Sequence, residues 1–189
     1  MLILASASAY RRELLGRLGV DFRTEIPGVS ETHRPGEPPA ERARRLSLEK
    51  ARAVSRRHPG ALVIGSDQVA SVADTILDKP GDAPACREQL AALSGRTALF
   101  HTGCALVRDA TPCGVHVDTT TVVFRTLGRE EIGRYVERDR PFDCAGGFRA
   151  EALGSALFER LETGDPTAII GLPLIWVAGA LRAAGVPVP

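Results

Sequence analysis

The order of apolar segments along the chain constrains the fold more than any other feature of the sequence. Short apolar runs typical of strands alternate with longer segments of helical periodicity through the first half of the chain. Two long strand-like segments, 97–108 and 114–125, then flank Asp109-Ala110-Thr111-Pro112, a pattern that predicts an antiparallel hairpin. Because alternating helices and strands favour parallel pairing, the sequence predicts a mixed α/β fold with an elongated central sheet and flanking helices.

The predicted elements are spread evenly over 189 residues, without a repeat or a long linker. We therefore expect a single domain over 1–189, with at most two small lobes. The predicted strands are 2–5, 20–26, 61–65, the hairpin 69–77 turning at Ala73-Asp74, 97–108, 114–125 and 157–161, and the predicted helices are 9–18, 38–57, 82–93, 128–139 and 173–184.

Charge and hydropathy exclude several classes of protein. The 24 basic and 23 acidic residues leave a net charge of +1, which argues against a general nucleic-acid binder. No apolar run approaches the roughly 18 residues that a membrane helix needs. The first arginines follow the apolar start of the chain rather than precede it, unlike those of a signal peptide. We expect a cytoplasmic protein that binds neither nucleic acid nor membranes.

The basic residues are distributed very unevenly between the two types. Twenty-two are arginine, and only Lys50 and Lys79 are lysine. Lysine supplies a compact, flexible ammonium that the planar guanidinium does not reproduce, so both lysines are candidate functional residues. The alternative is that they are ordinary surface lysines.

Metal-binding and redox motifs are absent from the sequence. The four cysteines contain no C-x-x-C pair and the four histidines no H-E-x-x-H motif, so nothing indicates a zinc site. We expect structural thiols, although Cys144 in a glycine-rich loop could be considered as a nucleophile. P-loop, Rossmann and serine-hydrolase motifs are also missing.

A candidate phosphate site lies between the first predicted strand and the first predicted helix. Ser8 is a suitable N-cap, and Arg11 and Arg12 follow in the first helical turn. Two arginines there oppose the helix dipole, and a bound anion would remove that conflict. The segment therefore predicts phosphate binding, with a solvated arginine pair as the alternative.

Two carboxylates complete the candidate site. Asp67 follows the apolar strand 61–65, and Glu31 lies in a loop rich in glycine and proline. Two acids beside lysines and arginines suit metal-assisted attack of water on a phosphoanhydride, in which the acids hold Mg²⁺ and the cations neutralise the phosphates. An aspartate at the end of a strand can equally be a turn residue.

Taken in order, the motifs of this chain resemble those of the Maf family of nucleotide pyrophosphatases, whose first members were described as septum-formation inhibitors. The motifs span residues 4–181 and are L-A-S-x-S-x-x-R-R-x-L-L, a loop glutamate, E-K-A, G-S-D-Q, D-K-P, L-S-G, C-A-G-G-F and I-I-G-L-P-L. The resemblance implies a two-lobed fold of the Maf and ITPase type with a cleft between the lobes. A homodimer is compatible with it.

The resemblance also implies an activity and a set of site residues. Family members cleave nucleoside triphosphates to the monophosphate and pyrophosphate with a divalent cation, Mg²⁺ or Mn²⁺. Asp67 would be the catalytic base and would hold the metal together with Glu31. The residues expected to bind the triphosphate are Ser8, Arg11, Arg12, Lys50 and Lys79.

Three residues indicate which branch of the family the chain resembles. Tyr10, Gln68 and Glu151 match the branch that prefers 7-methyl-GTP over thymidine or uridine triphosphates. A methylated guanine ring is cationic and can stack on an aromatic face, while a carboxylate accepts hydrogen bonds from the guanine edge. Without the family resemblance, core packing for Tyr10 and a solvated cap for Glu151 would be the simpler interpretations.

Two other functions compete with this one. The chain could belong to the branch that prefers dTTP and UTP, or it could be a catalytically weak regulator of cell division that senses nucleotides. The presence of Asp67 and Lys79 favours an enzyme.

Overall fold

The computed structural model describes residues 1–73 and 75–189 and has a mixed α/β architecture. The helices and strands, in chain order, are β1 (Leu2–Ala5), α1 (Ala9–Gly16), β2 (Arg23–Thr24), α2 (Pro39–Ser55), β3 (Leu62–Val72), β4 (Thr75–Leu77), α3 (Ala83–Leu93), β5 (Thr97–Arg108), β6 (Thr111–Phe124), α4 (Arg129–Asp139), β7 (Phe158–Glu162) and α5 (Leu174–Ala183).

The seven strands form one mixed sheet, as predicted. Its order is β2-β1-β3-β5-β6-β7, and β4 pairs with β3 outside this path. The pairs β1–β2 and β1–β3 are parallel, whereas β3–β4 and β6–β7 are antiparallel. The predicted hairpin 69–77 is present, with Val72 opposite Thr75; Asp74 in its turn lies outside the described residues.

The chain divides into two compact units. The first unit contains residues 1–68, 101–118 and 165–189, and the second contains 69–100 and 119–164.

The core of the first unit lies on both faces of β1 and β3. On one face Leu4 and Ile64 pack with leucines of α1 and α5, including Leu14 and Leu181. On the other face Val63 and its neighbours pack against α2. Alternation along each strand sends successive side chains to opposite faces, and both faces are apolar because helices cover both.

Two glycines let α2 approach the sheet closely. A Cβ atom on Gly65 of β3 would lie 2.2 Å from the carbonyl oxygen of Ser47, and one on Gly103 of β5 would lie 2.2 Å from that of Ala43. Real Cβ atoms do not come this close to backbone, so only glycine fits at either position. The contact fixes the height of α2 above β3.

Phenylalanine side chains form much of the core of the second unit. The rings of Phe100, Phe124, Phe148 and Phe158 meet edge to face at centroid distances of 4.9–5.5 Å. Phe148 ends the C-A-G-G-F segment, so this cluster anchors one end of that loop.

Several predicted boundaries were wrong. The predicted strand 61–65 extends to Val72, so Asp67 lies inside β3 and not past its end. The buried side chains of Ser66 and Asp67 find hydrogen-bond partners, which allows the strand to continue. The predicted strand 20–26 is reduced to two residues, and α1 ends at Gly16, where 3₁₀-type turns follow up to Gly19.

The helices of the described ranges include none long and apolar enough to cross a membrane.

Candidate active site

The Lys50 ammonium lies between two carboxylates. Its Nζ is 2.6 Å from Asp67 Oδ1 and 2.6 Å from Glu31 Oε1. The side chains of Lys50 and Asp67 are buried, whereas that of Glu31 is 57% exposed. Three predicted site residues from a loop, a helix and a strand therefore come together in the first unit.

The position of Lys50 follows from the packing of α2. Its buried residues recur at helical spacing from Ala43 to Val54, and Lys50 belongs to this stripe. Because Gly65 lets the helix backbone contact β3, the lysine side chain reaches the strand two residues further on, at Asp67. Lys50 is thus a buried charged residue with two partners, and the surface alternative for it is wrong.

The residues on either side of Asp67 are held by backbone carbonyls. The Ser66 hydroxyl lies 2.9 Å from Gly103 O and 2.8 Å from Gly171 O. The Gln68 amide nitrogen donates to Thr102 Oγ1, Ala168 O and Ile169 O, each at 3.0 Å. Because the amide nitrogen is already engaged, a ligand would contact Gln68 through its amide oxygen.

The Arg11 side chain contacts the loop 168–171 of the same unit. Its Nε donates to Gly171 O at 2.9 Å. Burial lowers the pKa of the Arg11 guanidinium, and the negative charges nearby, Asp67 foremost and also Glu31, oppose this shift. Arg11 thus belongs to the electrostatic neighbourhood of both carboxylates, as the phosphate-site prediction requires.

The N-terminus of α1 borders a cavity of about 270 Å³. Ser8 caps the helix, as predicted, by accepting a hydrogen bond from Arg11 N–H at 3.4 Å. The residues that line the cavity are Ser6, Ala7, Ser8, Ala9, Arg12, Thr24, Glu25 and Ile26. The positive end of the α1 dipole together with Arg12 forms an environment suited to an anion.

Glu25 is the one acidic residue in the lining of this cavity. Arg57 donates to its Oε1 at 2.6 Å, and His58 Nε2 contacts Oε2. Burial raises the pKa of Glu25, but the hydrogen bonds from Arg57 and His58 outweigh that effect and hold it below its usual value. The carboxylate is ionised and its charge is offset, which limits its repulsion of an anion.

The loop that carries Glu31 is tied to α2 by two arginines. Arg42 donates to Glu31 O at 3.2 Å, and Arg45 donates to Thr32 O at 3.3 Å. Arg45 also binds both carboxylate oxygens of Glu37, at 2.5 and 2.6 Å. The arginine-rich helix thereby holds the backbone on which Glu31 stands.

Glu31 and Asp67 are the two acids that could hold a magnesium or manganese ion. Each is an oxygen ligand of the hard type, and Lys50 balances only one of their two negative charges. Within the described parts of the chain, no group of three or more acidic, histidine or cysteine side chains could hold a metal. Mg²⁺ is typically coordinated by one or two protein carboxylates, and phosphate and water occupy its remaining coordination positions. Two carboxylates agree with this pattern.

Lys79 and Glu151 lie in the second unit and are exposed. The segment before Lys79 is attached to α3, because Gln89 Nε2 donates to Asp78 O at 3.0 Å. The segment before Glu151 is attached to α4, where the buried Asp139 accepts a hydrogen bond from Arg149 at 2.5 Å. Both exposed side chains thus follow anchored segments, and their roles stay predictions.

Tyr10 is half-buried in the first turn of α1. Its assignment to the base, like that of Gln68, also stays a prediction.

The cysteines behave mostly as predicted. Cys86 and Cys104 are buried free thiols, and burial raises the pKa of Cys86 to about 11, which keeps it protonated. Cys113 is exposed instead, because it lies near the hairpin end of β6.

The fold and the site define an α/β protein whose buried acids and bases are suited to phosphorylated ligands. The chain belongs to the Maf-like protein family, whose family model matches residues 1–184. A protein of Aromatoleum aromaticum named 7-methyl-GTP pyrophosphatase is 50% identical over 100% of this chain and 97% of its own length. A protein of the same name from Xanthomonas axonopodis pv. citri is 49% identical over 100% of this chain and 98% of its own length.

Among solved structures, the chain is similar to a nucleoside-triphosphatase (dITP/XTP pyrophosphatase) of Mycobacterium abscessus. The match covers 98% of this chain and 97% of that one, with 21% sequence identity and a TM-score of 0.48.

Proposed function

We propose that this protein is a nucleoside triphosphate pyrophosphatase that hydrolyses the α–β phosphoanhydride of 7-methyl-GTP, giving 7-methyl-GMP and pyrophosphate. The observation that carries the proposal is the buried Lys50 ammonium, 2.6 Å from both Asp67 and Glu31. The full-length similarity to two proteins named 7-methyl-GTP pyrophosphatase supports the choice of substrate.

Asp67 is the proposed catalytic base. Water attacks the α-phosphorus, its proton passes to an Asp67 carboxylate oxygen, and the α–β bridging oxygen leaves with pyrophosphate. Lys50 holds the Asp67 carboxylate in its buried position through the 2.6 Å contact between Nζ and Oδ1. Glu31 and Asp67 would hold a divalent cation, which would neutralise charge on the phosphates and orient the water.

The cationic side chains are proposed to bind the triphosphate. Arg11 keeps its terminal guanidinium nitrogens for phosphate while its Nε is fixed on Gly171 O. Ser8 and Arg12 add donors at the cavity beside the N-terminus of α1. Lys79 would contribute a further flexible ammonium.

The base is proposed to be read by an aromatic face and a carboxylate. Tyr10 would stack on the cationic 7-methylguanine, and Glu151 would accept hydrogen bonds from its ring N–H and exocyclic amine. The Gln68 amide oxygen would supply a further polar contact.

A pyrophosphate-release assay with Mg²⁺ over a panel of 7-methyl-GTP, GTP, dTTP and UTP tests the function. We expect 7-methyl-GTP to have the highest kcat/KM, and Asp67→Asn to lose at least about 100-fold in kcat because the amide cannot take a proton. A preference for dTTP or UTP would assign the chain to the other branch. Absence of turnover together with nucleotide binding would support the sensing regulator, and a fully active Asp67→Asn variant would remove the proposed base.

A further inference from the structure

One loop accepts hydrogen bonds from side chains on three separate elements of the candidate site. The carbonyls of the loop 168–171, which follows β7 and precedes α5, point toward α1, β3 and β5. The side-chain donors and their acceptors are Arg11 to Gly171 O, Ser66 to Gly171 O, Gln68 to Ala168 O and Ile169 O, and Thr102 to Ala168 O. The loop therefore fixes Arg11 and both neighbours of Asp67 at once.

This loop has little regular structure of its own. It forms a single 3₁₀ turn over Ala168–Ile170, and Gly171 follows with a φ of 123°. Its backbone bonds include Gly171 N–H to Ala168 O at 2.9 Å, and the Thr167 hydroxyl lies 2.9 Å from Leu172 O across the loop. A short 3₁₀ turn is intrinsically weak, so the placement of its carbonyls must come from neighbouring groups.

Asp165 holds the loop through hydrogen bonds from the residues on either side of it, Thr167 and Ile175. Its side chain accepts hydrogen bonds through both oxygens: Oδ1 from Thr167 N–H at 2.9 Å and from the Thr167 hydroxyl at 2.6 Å, and Oδ2 from Ile175 N–H at 2.7 Å. Thr167 Oγ1 in turn accepts from Leu174 N–H at 2.9 Å. Asp165 is 3% exposed, so these bonds are made away from water.

The two ends of the loop 168–171 are thereby fixed to each other. Asp165 and Thr167 satisfy the first amides of α5, whose first turn packs in the apolar core through Leu174 and Val177. Asp165 thus transmits the position of a packed helix to the carbonyls that hold Arg11 and β3.

We propose that Asp165 is a positioning residue for the phosphate-binding Arg11 and for the Asp67 segment of β3. The inference rests on the proposed function, because the residues that it positions are those assigned to phosphate binding and catalysis. Asp165 itself is not placed in contact with substrate.

The test uses the isosteric variant Asp165→Asn in the full-length protein. Whichever way the amide is turned, its NH₂ group faces a backbone donor, either Ile175 N–H or Thr167 N–H, so one end of the loop is released. We expect kcat/KM for 7-methyl-GTP to fall by about tenfold or more, with KM rising as Arg11 moves and kcat falling as the Asp67 segment moves. The melting temperature is measured in parallel.

Leu181→Ala is the matched control for stability. Leu181 lies on the same helix, is fully buried and has no side-chain hydrogen bond to the loop. We expect it to lower the melting temperature at least as much as Asp165→Asn while kcat/KM stays within about twofold of the wild type, because cavity formation in the core does not release the carbonyls. Equal activity losses in both variants at equal loss of stability would overturn a positioning role.

A double-variant cycle with Arg11→Lys tests the route through Gly171. Lysine has no Nε–H to donate to Gly171 O, so in that background Asp165→Asn should cost about threefold less in kcat/KM than in the wild type. Strictly multiplicative effects would mean that Asp165 does not act through Arg11.

Hydrogen exchange provides a readout that does not depend on turnover. The Arg11 Nε–H signal in NMR spectra should exchange slowly in the wild type and in Leu181→Ala, and at least about tenfold faster in Asp165→Asn. Unchanged exchange would overturn the inference even in an active enzyme. Faster exchange in a protein without activity on any nucleotide would support the positioning role and contradict the proposed function.

Discussion

Lys50 and Asp67 are joined by a 2.6 Å contact between Nζ and Oδ1, and their side chains are only 7% and 9% exposed. Taking two charges out of water is costly, and removing one partner leaves the other buried without compensation. The pair is therefore expected to be sensitive to the size and geometry of the cation as well as to its charge.

The two lysines should respond differently to arginine. Lys50→Arg places a larger planar group in a buried site between two carboxylates, so we expect a loss of about 2–4 kcal/mol in transition-state stabilisation, similar to that of Lys50→Ala. Lys79 is exposed, so Lys79→Arg should keep most of the activity that Lys79→Ala loses. Steady-state kcat/KM with 7-methyl-GTP measures both pairs, and a fully active Lys50→Arg variant would contradict the geometric argument.

The close contact of α2 with β3 can be tested at Gly65. Gly65→Ala places a methyl group 2.2 Å from Ser47 O and 2.7 Å from Ala51 N, both backbone atoms, so the helix must move and Lys50 with it. We expect a loss of about 2–4 kcal/mol in the free energy of unfolding, measured by urea titration, together with reduced turnover.

Gly133→Ala is the control for this substitution. Gly133 lies inside α4 with no atom within 4 Å of a new methyl group, so alanine should stabilise the protein by about 0.5–1 kcal/mol. A Gly65→Ala variant as stable as Gly133→Ala would show that α2 does not depend on this contact.

Much of the site could be predicted from residue types, but its geometry could not. The scarcity of lysine pointed to Lys50, and helical spacing in α2 would have placed it on the buried stripe. Asp67 was expected past the end of a strand, because polar residues normally interrupt a buried strand. The structure keeps it inside β3 because its neighbours are satisfied by carbonyls distant in sequence.

Asp165 was missed for the same reason. Two of the three donors to its carboxylate are backbone amides, and the acceptors in its loop are backbone carbonyls. Backbone groups carry no signature in the sequence. The one local signal is D-P-T before an apolar segment that opens a helix, where Asp and Thr are common capping residues. That signal predicts a helix start and does not reveal that α1 and β3 use the same loop.

Substrate selectivity should depend on the charge of Glu151. Glu151→Gln keeps the shape of the side chain but loses the negative charge that favours a cationic base, so the preference for 7-methyl-GTP over GTP should fall by about 1–3 kcal/mol. Kinetics with GTP should change little, because the cationic residues proposed for the triphosphate are untouched. Glu159→Gln, an exposed acid on β7, is the control and should leave the ratio of the two kcat/KM values unchanged. An unaltered ratio in Glu151→Gln would remove this residue from base recognition.

The ion pair that supports the Glu31 loop should make stability depend on pH. The hydrogen bonds from Arg45 hold the pKa of Glu37 below its usual value of 4.5, and the Glu37 side chain is only 10% exposed. A carboxyl with a lowered pKa in the folded protein stabilises it above the unfolded pKa, and this stabilisation is lost as the pH falls through the folded value. We therefore expect Glu37→Gln to cost about 2 kcal/mol in the free energy of unfolding at pH 7 and progressively less below pH 4.5. Urea titrations at pH 7 and pH 3 measure the difference.

Glu13→Gln removes an exposed pair with Arg17 and should cost less than about 0.5 kcal/mol at either pH. A Glu37→Gln deficit that stays constant down to pH 3 would mean that the ionised carboxylate is not what Arg45 binds.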